Sequence, residues 1–380
     1  MSFGDRFLRH PERFPGSPEG DAWGERELRL DLPGGPYQLL GLSAAQEEGV
    51  LATFPVVLRA SLPLAPRLTI AGPAVGAPAA GGPGASELGA AGPAPAGPAA
   101  TLPGGAAGAA PISILLLRCD PDEFLPLDVR GWEYALDFDW SPAAVRLAGM
   151  SLQGRLDWRP GRLGMAGALW TPEGGGERFP GVFENFLRVL VAYRLLELGG
   201  VVLHSAGVVR DGAAFLFLGR SGAGKTTAAR FSLAQGAEVL SDDLNALIPG
   251  GPHVGAASSG SDRRASAASA AGSGASTSAG CVVLKLPFTG DLGERRAVRP
   301  PVPLGALLRL EQAAADALAP LSRAETLACL LACVPFVNVD PHRRERLEQV
   351  LLALASATAP CAFTLRFSLG GGFWSIIDRK

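Results

Sequence analysis

The stretch Phe215-Leu-Phe-Leu-Gly219-Arg-Ser-Gly-Ala-Gly-Lys225-Thr-Thr227 decides the fold expected for this chain. It contains Gly-x-x-x-x-Gly-Lys-Thr, the pattern of a phosphate-binding loop, or P-loop. The apolar run 213–218 before it predicts a buried strand, and the segment 226–235 after it predicts a helix. That order suits a phosphate cradle, because glycines let several N–H groups point inward and the helix N-terminus adds partial positive charge.

The P-loop predicts ATP and Mg²⁺ as cofactors. Lys225 would reach the β- and γ-phosphates, and the Thr226 hydroxyl would bind Mg²⁺. A chance glycine-rich turn is the alternative in a chain with 50 glycines, but such a turn would not be flanked by a predicted strand and a predicted helix. The predicted nucleotide-binding residues are Gly219, Arg220, Ser221, Gly222, Ala223, Gly224, Lys225, Thr226 and Thr227.

Two adjacent aspartates, Asp242 and Asp243, follow the next predicted strand. A carboxylate at the end of that strand can bind Mg²⁺ or accept a proton from an attacking hydroxyl. Two close carboxylates favour different roles, because both cannot stay fully charged without a cation nearby. A solvated acidic turn is the alternative. We expect both aspartates to be catalytic, and Thr226 and Asp242 to be the metal ligands.

His204 lies in the apolar run 201–209, which Arg210-Asp211-Gly212 separates from the P-loop strand. Asp-Gly between two apolar runs is a strong hairpin signal. The hairpin would carry His204 to the mouth of the P-loop, where a neutral imidazole can bind a metal or hold an aspartate. A buried core histidine is the alternative. His204 is therefore the third expected catalytic residue.

The same hairpin argues against an ordinary doubly wound fold, in which the early strands are parallel and joined by helices. The expected class is α/β with a mixed, α+β-like sheet. Short strands with Gly/Pro turns, for example 112–117 and 152–158, indicate an antiparallel β-rich region before the P-loop domain. At the C-terminus, 363–367 and 373–377 flank three glycines and predict a closing hairpin.

Composition divides the chain into three parts. Residues 1–36 are polar and broken by Pro and Gly, which predicts a flexible arm. The β-rich region covers 37–180 and contains an insertion, 71–110, made almost entirely of Ala, Gly and Pro, which predicts disorder. The P-loop domain covers 181–380, and its Ser/Ala/Gly-rich segment 256–280 predicts a flexible loop.

Charge and cysteine content narrow the possible partners and compartment. The formal charge of −2 gives no basic excess for nucleic acid or an anionic membrane. Five scattered cysteines without a C-x-x-C pair suit a reducing cytoplasm better than a disulfide scaffold. Cys329 and Cys333 fall four residues apart on a predicted helix and are expected to be small core residues. No signal peptide and no membrane span are expected.

Three segments together resemble the catalytic domain of the HPr kinase/phosphorylase group. They are His204-Ser-Ala-Gly-Val-Val209, the P-loop 219–227 and Ser241-Asp-Asp243. That domain is itself similar to the nucleotide-binding domain of ATP-dependent phosphoenolpyruvate carboxykinase. Glu184-Asn-Phe-Leu-Arg188 and Val334-Pro-Phe-Val-Asn-Val-Asp340 look like the HPr-kinase-related bacterial paralogues.

The resemblance implies a mixed sheet around the P-loop, ATP with Mg²⁺, and phosphoryl transfer to a serine hydroxyl of a protein or peptide. It makes Asp242 the catalytic acid/base, gives Asp243 a supporting role, and places His204 against the aspartate or the metal. Because HPr kinases form hexamers, it also raises the possibility of a homo-oligomer.

The chain departs from true HPr kinases in lacking their downstream Arg-Gly-Leu-Gly signature. The segment Lys285–Asp291 stands near its expected place, and no spacing singles out one of Arg263, Arg264, Arg295 and Arg296 as a replacement. Three functions therefore stay open. They are a kinase acting on a serine or another hydroxyl, a nucleotide-binding regulator or adaptor without catalysis, and a carboxykinase-like enzyme acting on a small acid.

Overall fold

The computed structural model describes residues 2–54, 57–58, 111–126, 134–159, 164–250, 280–288, 290–292, 300–368 and 370–379. The predicted insertion 71–110, the predicted loop 256–280 apart from its last residue, and the four downstream arginines lie outside the described residues. The described part contains two mixed β-sheets with helices packed on them, which confirms the expected combination of α and β structure with mixed strand directions.

The first sheet comes from the N-terminal half, and its strand order is β3-β1-β2-β4-β8-β7-β6-β5. Its strands are β1 (Arg26–Leu30), β2 (Tyr37–Leu42), β3 (Val57–Leu58), β4 (Ile112–Arg118), β5 (Leu136–Trp140), β6 (Ala144–Gly149), β7 (Leu152–Arg159) and β8 (Gly164–Thr171). Strands β2, β4 and β8 pair in parallel, and the other pairs are antiparallel. The expected purely antiparallel region is therefore mixed.

The expected flexible arm over residues 1–36 is corrected by the structure. Strand β1 lies inside the first sheet, and Phe7 and Phe14 are buried in a small core of their own with Phe124. This segment is polar overall, but it contains a few large apolar residues that are buried. Burying a phenylalanine contributes about 1.5–3 kcal/mol, enough to offset much of the ordering cost of nearby backbone.

One helix connects the two sheets, and a second helix packs on it. Helix α1 (Ala44–Thr53) begins with a capping box at Ser43 and packs on helix α2 (Phe179–Glu197). Helix α2 contacts β7 and β8 of the first sheet and β9 (Val201–Arg210) of the second, and it is buried on nearly all sides. A helix that is apolar all round belongs in a core, so α2 joins the two halves of the chain.

The second sheet surrounds the P-loop. Besides β9, its strands are β10 (Ala213–Leu218), β11 (Glu238–Ser241), β12 (Leu244–Pro249), β13 (Cys281–Lys285), β14 (Val302–Gln312), β15 (Ala317–Pro320) and β16 (Ala362–Phe367). The helices of this half are α3 (Lys225–Ala234), α4 (Arg323–Cys333), α5 (Arg344–Thr358) and α6 (Trp374–Ile377). Strand β10 pairs antiparallel with β9 and parallel with β14. The hairpin turn at Asp211 and Gly212 is confirmed, with φ angles of 50° and 77°.

The predicted C-terminal hairpin is wrong. Strand β16 pairs in parallel with β14 and antiparallel with β15, which the sequence did not reveal. Residues 374–377 form α6, because the Trp374 ring buries itself against Phe215, with ring centroids 4.9 Å apart. Within the part of the chain that the structure describes, no helix combines the length and apolar character needed to cross a bilayer.

Candidate functional site

The P-loop leaves the end of β10 and enters α3 at Lys225, as the sequence predicts. Its glycines are required by the backbone. Gly222 and Gly224 have φ angles of 79° and 97°, in the left-handed region that side chains avoid. A Cβ on Gly224 would also lie 2.6 Å from the Phe367 ring. The loop is therefore shaped by local backbone chemistry and by close packing against β16.

Lys225 lies inside the loop and is 8 % exposed. Its Nζ donates to the carbonyl oxygens of Gly219 and Arg220, at 2.9 and 3.3 Å. Burial lowers the pKa of Lys225, while Cys333 and Asp243 act in the opposite direction. The ammonium group thus stands at a cavity of about 330 Å³ that Ser221, Gly224, Thr227 and Asp242 help to line.

Asp242 lies at a break between β11 and β12 and faces the same cavity. The Thr226 hydroxyl donates to its Oδ2 at 3.3 Å, and the Leu292 backbone N–H donates to its Oδ1 at 3.1 Å. A Cβ on Gly290 would meet Asp242 Oδ1 at 1.9 Å, so the segment 290–292 packs directly on the carboxylate. The structure therefore places both expected metal ligands, Thr226 and Asp242, side by side.

Oxygen ligands of this kind fit Mg²⁺, which takes one or two protein groups and completes its shell with phosphates and waters. In the described residues no group of three or more His, Cys, Asp and Glu side chains could form a metal centre by itself. The two neighbouring oxygen donors, Thr226 and Asp242, are of the type that binds Mg²⁺ together with phosphates.

Asp243 points elsewhere. Its Oδ2 lies 3.1 Å from Arg188 Nη1 of α2, and it does not line the cavity that Asp242 faces. Arg188 also donates to Glu184 Oε1 through Nε at 3.2 Å and Nη2 at 2.8 Å. The structure thus separates the two neighbouring aspartates, one toward the P-loop and one toward a buried arginine.

The backbone around the aspartates is fixed by polar groups of β9, β11 and β12. Buried Asn245 donates to the carbonyl oxygens of Ser205 and Ser241, at 2.8 and 3.2 Å. The Ser205 N–H donates to the Asp243 carbonyl at 3.0 Å. The Ser241 hydroxyl accepts from the Asp243 N–H at 3.1 Å. The turn is therefore held independently of what the two carboxylates contact.

His204 is exposed on β9, opposite Leu244, and shares the cavity with Lys225, Thr226 and Asp242. The structure thus places His204 close to the P-loop, as the hairpin predicts. Partial burial lowers the pKa of His204, and the charges of Lys225 and Arg188 lower it further, while Asp243 opposes them. The lowered pKa favours the neutral imidazole at pH 7.

The charge state of His204 gives a testable expectation. The chain has four histidines, so ring-proton NMR resolves them, and His204→Gln assigns the signal. We expect His204 to titrate below its ordinary value of about 6.5 and to titrate higher in Lys225→Ala, because one repelling cation is removed. A titration at or above 6.5 in the unaltered protein, or no change in Lys225→Ala, would contradict this expectation.

A second, larger cavity of about 1080 Å³ adjoins the first, and the two share Ser221, Gly222 and Gln312. Its other walls come from the end of β14 and one face of α4; they include Arg309, Glu311, Glu325, Ala328, Cys329 and Cys333. Gln312 Nε2 donates to the Gly222 carbonyl at 3.1 Å. The cleft around the P-loop thus has room for more than phosphates.

Cys329 and Cys333 belong to this second cavity. Cys333 is buried and Cys329 is half-buried, which agrees with small packed residues, yet both line the cleft. A hydrogen bond from Cys329, the Gly219 N–H and the charge of Lys225 lower the pKa of Cys333 against the opposing effect of burial. The sequence spacing alone gave no sign that this thiol would face the P-loop.

Arg188 and Gln312 are site residues that the motifs did not assign. One signal could have found Arg188: Glu184 and Arg188 stand four residues apart in a helix whose other residues are mostly apolar. A charged pair in such a helix must be buried together, and a buried cation commonly faces a second anion. No comparable signal marks Gln312, whose place depends on how β14 pairs with β10.

The chain matches no protein-family model, and a search of curated proteins finds no similar sequence.

Proposed function

We propose that this chain is an ATP- and Mg²⁺-dependent kinase of the HPr-kinase-related type, which transfers the γ-phosphoryl group to a serine hydroxyl of a protein or peptide. One observation carries the proposal. Thr226 and Asp242 are hydrogen-bonded to each other in the cavity that also holds Lys225. A P-loop lysine, a P-loop threonine and a nearby aspartate are the groups that phosphoryl transfer from a nucleotide requires.

In this proposal the loop N–H groups and Lys225 hold the phosphates, and preorganised positive charge stabilises the transferring group. Bound Mg²⁺, held by Thr226 and Asp242, would neutralise charge between the phosphates. Asp242 accepts the proton of the acceptor hydroxyl. Asp243 is less available to the acceptor hydroxyl, since its carboxylate pairs with Arg188. His204 lines the same cavity.

The mixed second sheet supports the same family assignment. The P-loop strand β10 is entered through an antiparallel hairpin that carries His204, and the double aspartate lies beside β9. A cytoplasmic location and a homo-oligomer belong to the proposal as well. The missing downstream signature makes a partner other than HPr the better candidate.

A transfer assay tests the proposal. The protein is incubated with Mg²⁺ and γ-labelled ATP together with a panel of serine-containing peptides and proteins, and phosphoserine is mapped by mass spectrometry. We expect a labelled product that disappears with a chelator. Nucleotide binding without product across the panel would instead indicate a regulator or adaptor. Nucleotide-dependent release of CO₂ from oxaloacetate would indicate a carboxykinase-like enzyme.

A further inference from the structure

Arg188 occupies a slot built from three separate parts of the chain. Its guanidinium carbon lies 4.7 Å from the centre of the Tyr134 ring, just before β5, and 5.6 Å from the Phe288 ring, which follows β13. Arg188 is 7 % exposed, Phe288 is buried, and Tyr134 is 61 % exposed. The guanidinium thus contacts two aromatic rings and pairs with the carboxylates of Glu184 and Asp243.

The Asp243 carboxylate has a competing partner in Lys225. The turn that carries Asp243 lies beside the P-loop lysine, because the preceding residue, Asp242, accepts a hydrogen bond from Thr226 and lines the same cavity as Lys225. The backbone of the turn is fixed by Ser205, Ser241 and Asn245, but those bonds do not hold the Asp243 side chain. The Asp243 carboxylate is held by Arg188, and a carboxylate freed beside the buried Lys225 ammonium would pair with that ammonium.

We infer that Arg188 is a positioning residue that holds the Asp243 carboxylate out of the phosphate cavity, leaving Lys225 available for the nucleotide. The inference rests on the proposed nucleotide site. It explains why two adjacent aspartates beside a P-loop do not both neutralise its lysine. Asp242 faces the cavity, whereas the carboxylate of Asp243 pairs with buried Arg188.

The test must avoid leaving Glu184 as an unpaired buried charge, which would cost about 3–5 kcal/mol and risk unfolding. Glu184→Gln therefore serves as the reference, and the double variant Glu184→Gln/Arg188→Gln removes the cation in a neutral setting. A triple variant adds Asp243→Asn. Thermal melting shows that each protein is folded, and calorimetry measures the dissociation constant for ATP.

We expect the double variant to bind ATP about tenfold more weakly than Glu184→Gln, because Asp243 now pairs with Lys225. The triple variant should regain the reference affinity, since its residue 243 carries no charge. A purely structural role for Arg188 would not be reversed by Asp243→Asn. Equal affinity in the reference and double variants, or no recovery in a folded triple variant, would overturn the inference.

A second measurement separates this inference from the proposed function. If the unaltered protein binds no ATP, the proposed function fails, and crystal structures of Glu184→Gln and of the double variant then decide the role of Arg188. We expect the Asp243 carboxylate to reach Lys225 Nζ in the double variant only. A carboxylate that keeps its direction without Arg188 would contradict the inference whatever the activity.

Discussion

Asp242→Asn is expected to reduce phosphoryl transfer by about 10²–10⁴-fold, the usual contribution of a general base. The amide keeps the size of the carboxylate, so it still fits between the Thr226 hydroxyl and the segment that packs on it. It cannot accept the acceptor proton at neutral pH and is a weaker Mg²⁺ ligand. ATP binding measured without Mg²⁺ is largely retained, because Lys225 and the loop are untouched.

Single-turnover transfer and calorimetry together measure these two effects. Asp211→Asn is the matched control, since Asp211 stands exposed in the hairpin turn with a positive φ that asparagine also tolerates. That control should transfer phosphate at the unaltered rate. Full transfer by Asp242→Asn would exclude Asp242 as the proton acceptor, even if ATP binding proved normal.

Lys225→Ala is expected to weaken ATP binding by about 10–150-fold, because hydrogen bonds to charged groups contribute about 1.5–3 kcal/mol. The buried ammonium is the cation that the P-loop itself presents to the 330 Å³ cavity. Its removal also frees the carbonyls of Gly219 and Arg220, which water can then solvate. The fold should survive, since the backbone of α3 makes the same helical bonds.

Calorimetry against ATP with Mg²⁺ checks this expectation, with circular dichroism as the test of folding. Arg230→Ala is the control, because Arg230 is an exposed cation on the same helix, outside the cavity. Its affinity for ATP should match that of the unaltered protein. An equal loss in both variants would indicate a general charge effect, and no loss in Lys225→Ala would remove the P-loop assignment.

The elements nearest the P-loop could be predicted because their signals are local. The β9–β10 hairpin follows from Asp-Gly between two apolar runs, and α3 agrees with the helix predicted after the P-loop to within one residue at each end. In two other segments, local signals gave wrong predictions. The alternation after Gly372 suggested a strand, but burial of Trp374 produced a helix. Polar composition suggested an arm where Phe7 and Phe14 are buried.

The residues of the candidate site also fall into two groups, those that local motifs identify and those that they do not. The P-loop residues, the double aspartate and His204 could be named from motifs, since each motif has a fixed spacing along the chain. Arg188 and Gln312 could not be assigned in this way, because each reaches the site across a large sequence separation through α2 or through the β10–β14 pairing. Long-range contacts depend on how whole elements pack, which no short pattern contains.

The sequence by itself determined that a P-loop joins a buried strand to a helix, since glycine φ preferences and apolar runs act within a few residues. Only the tertiary structure decided that Asp242 and Asp243 face different partners. Neighbouring residues in a strand break can point either way, and the choice here comes from Arg188, which the core helix α2 holds beside one carboxylate and away from the other.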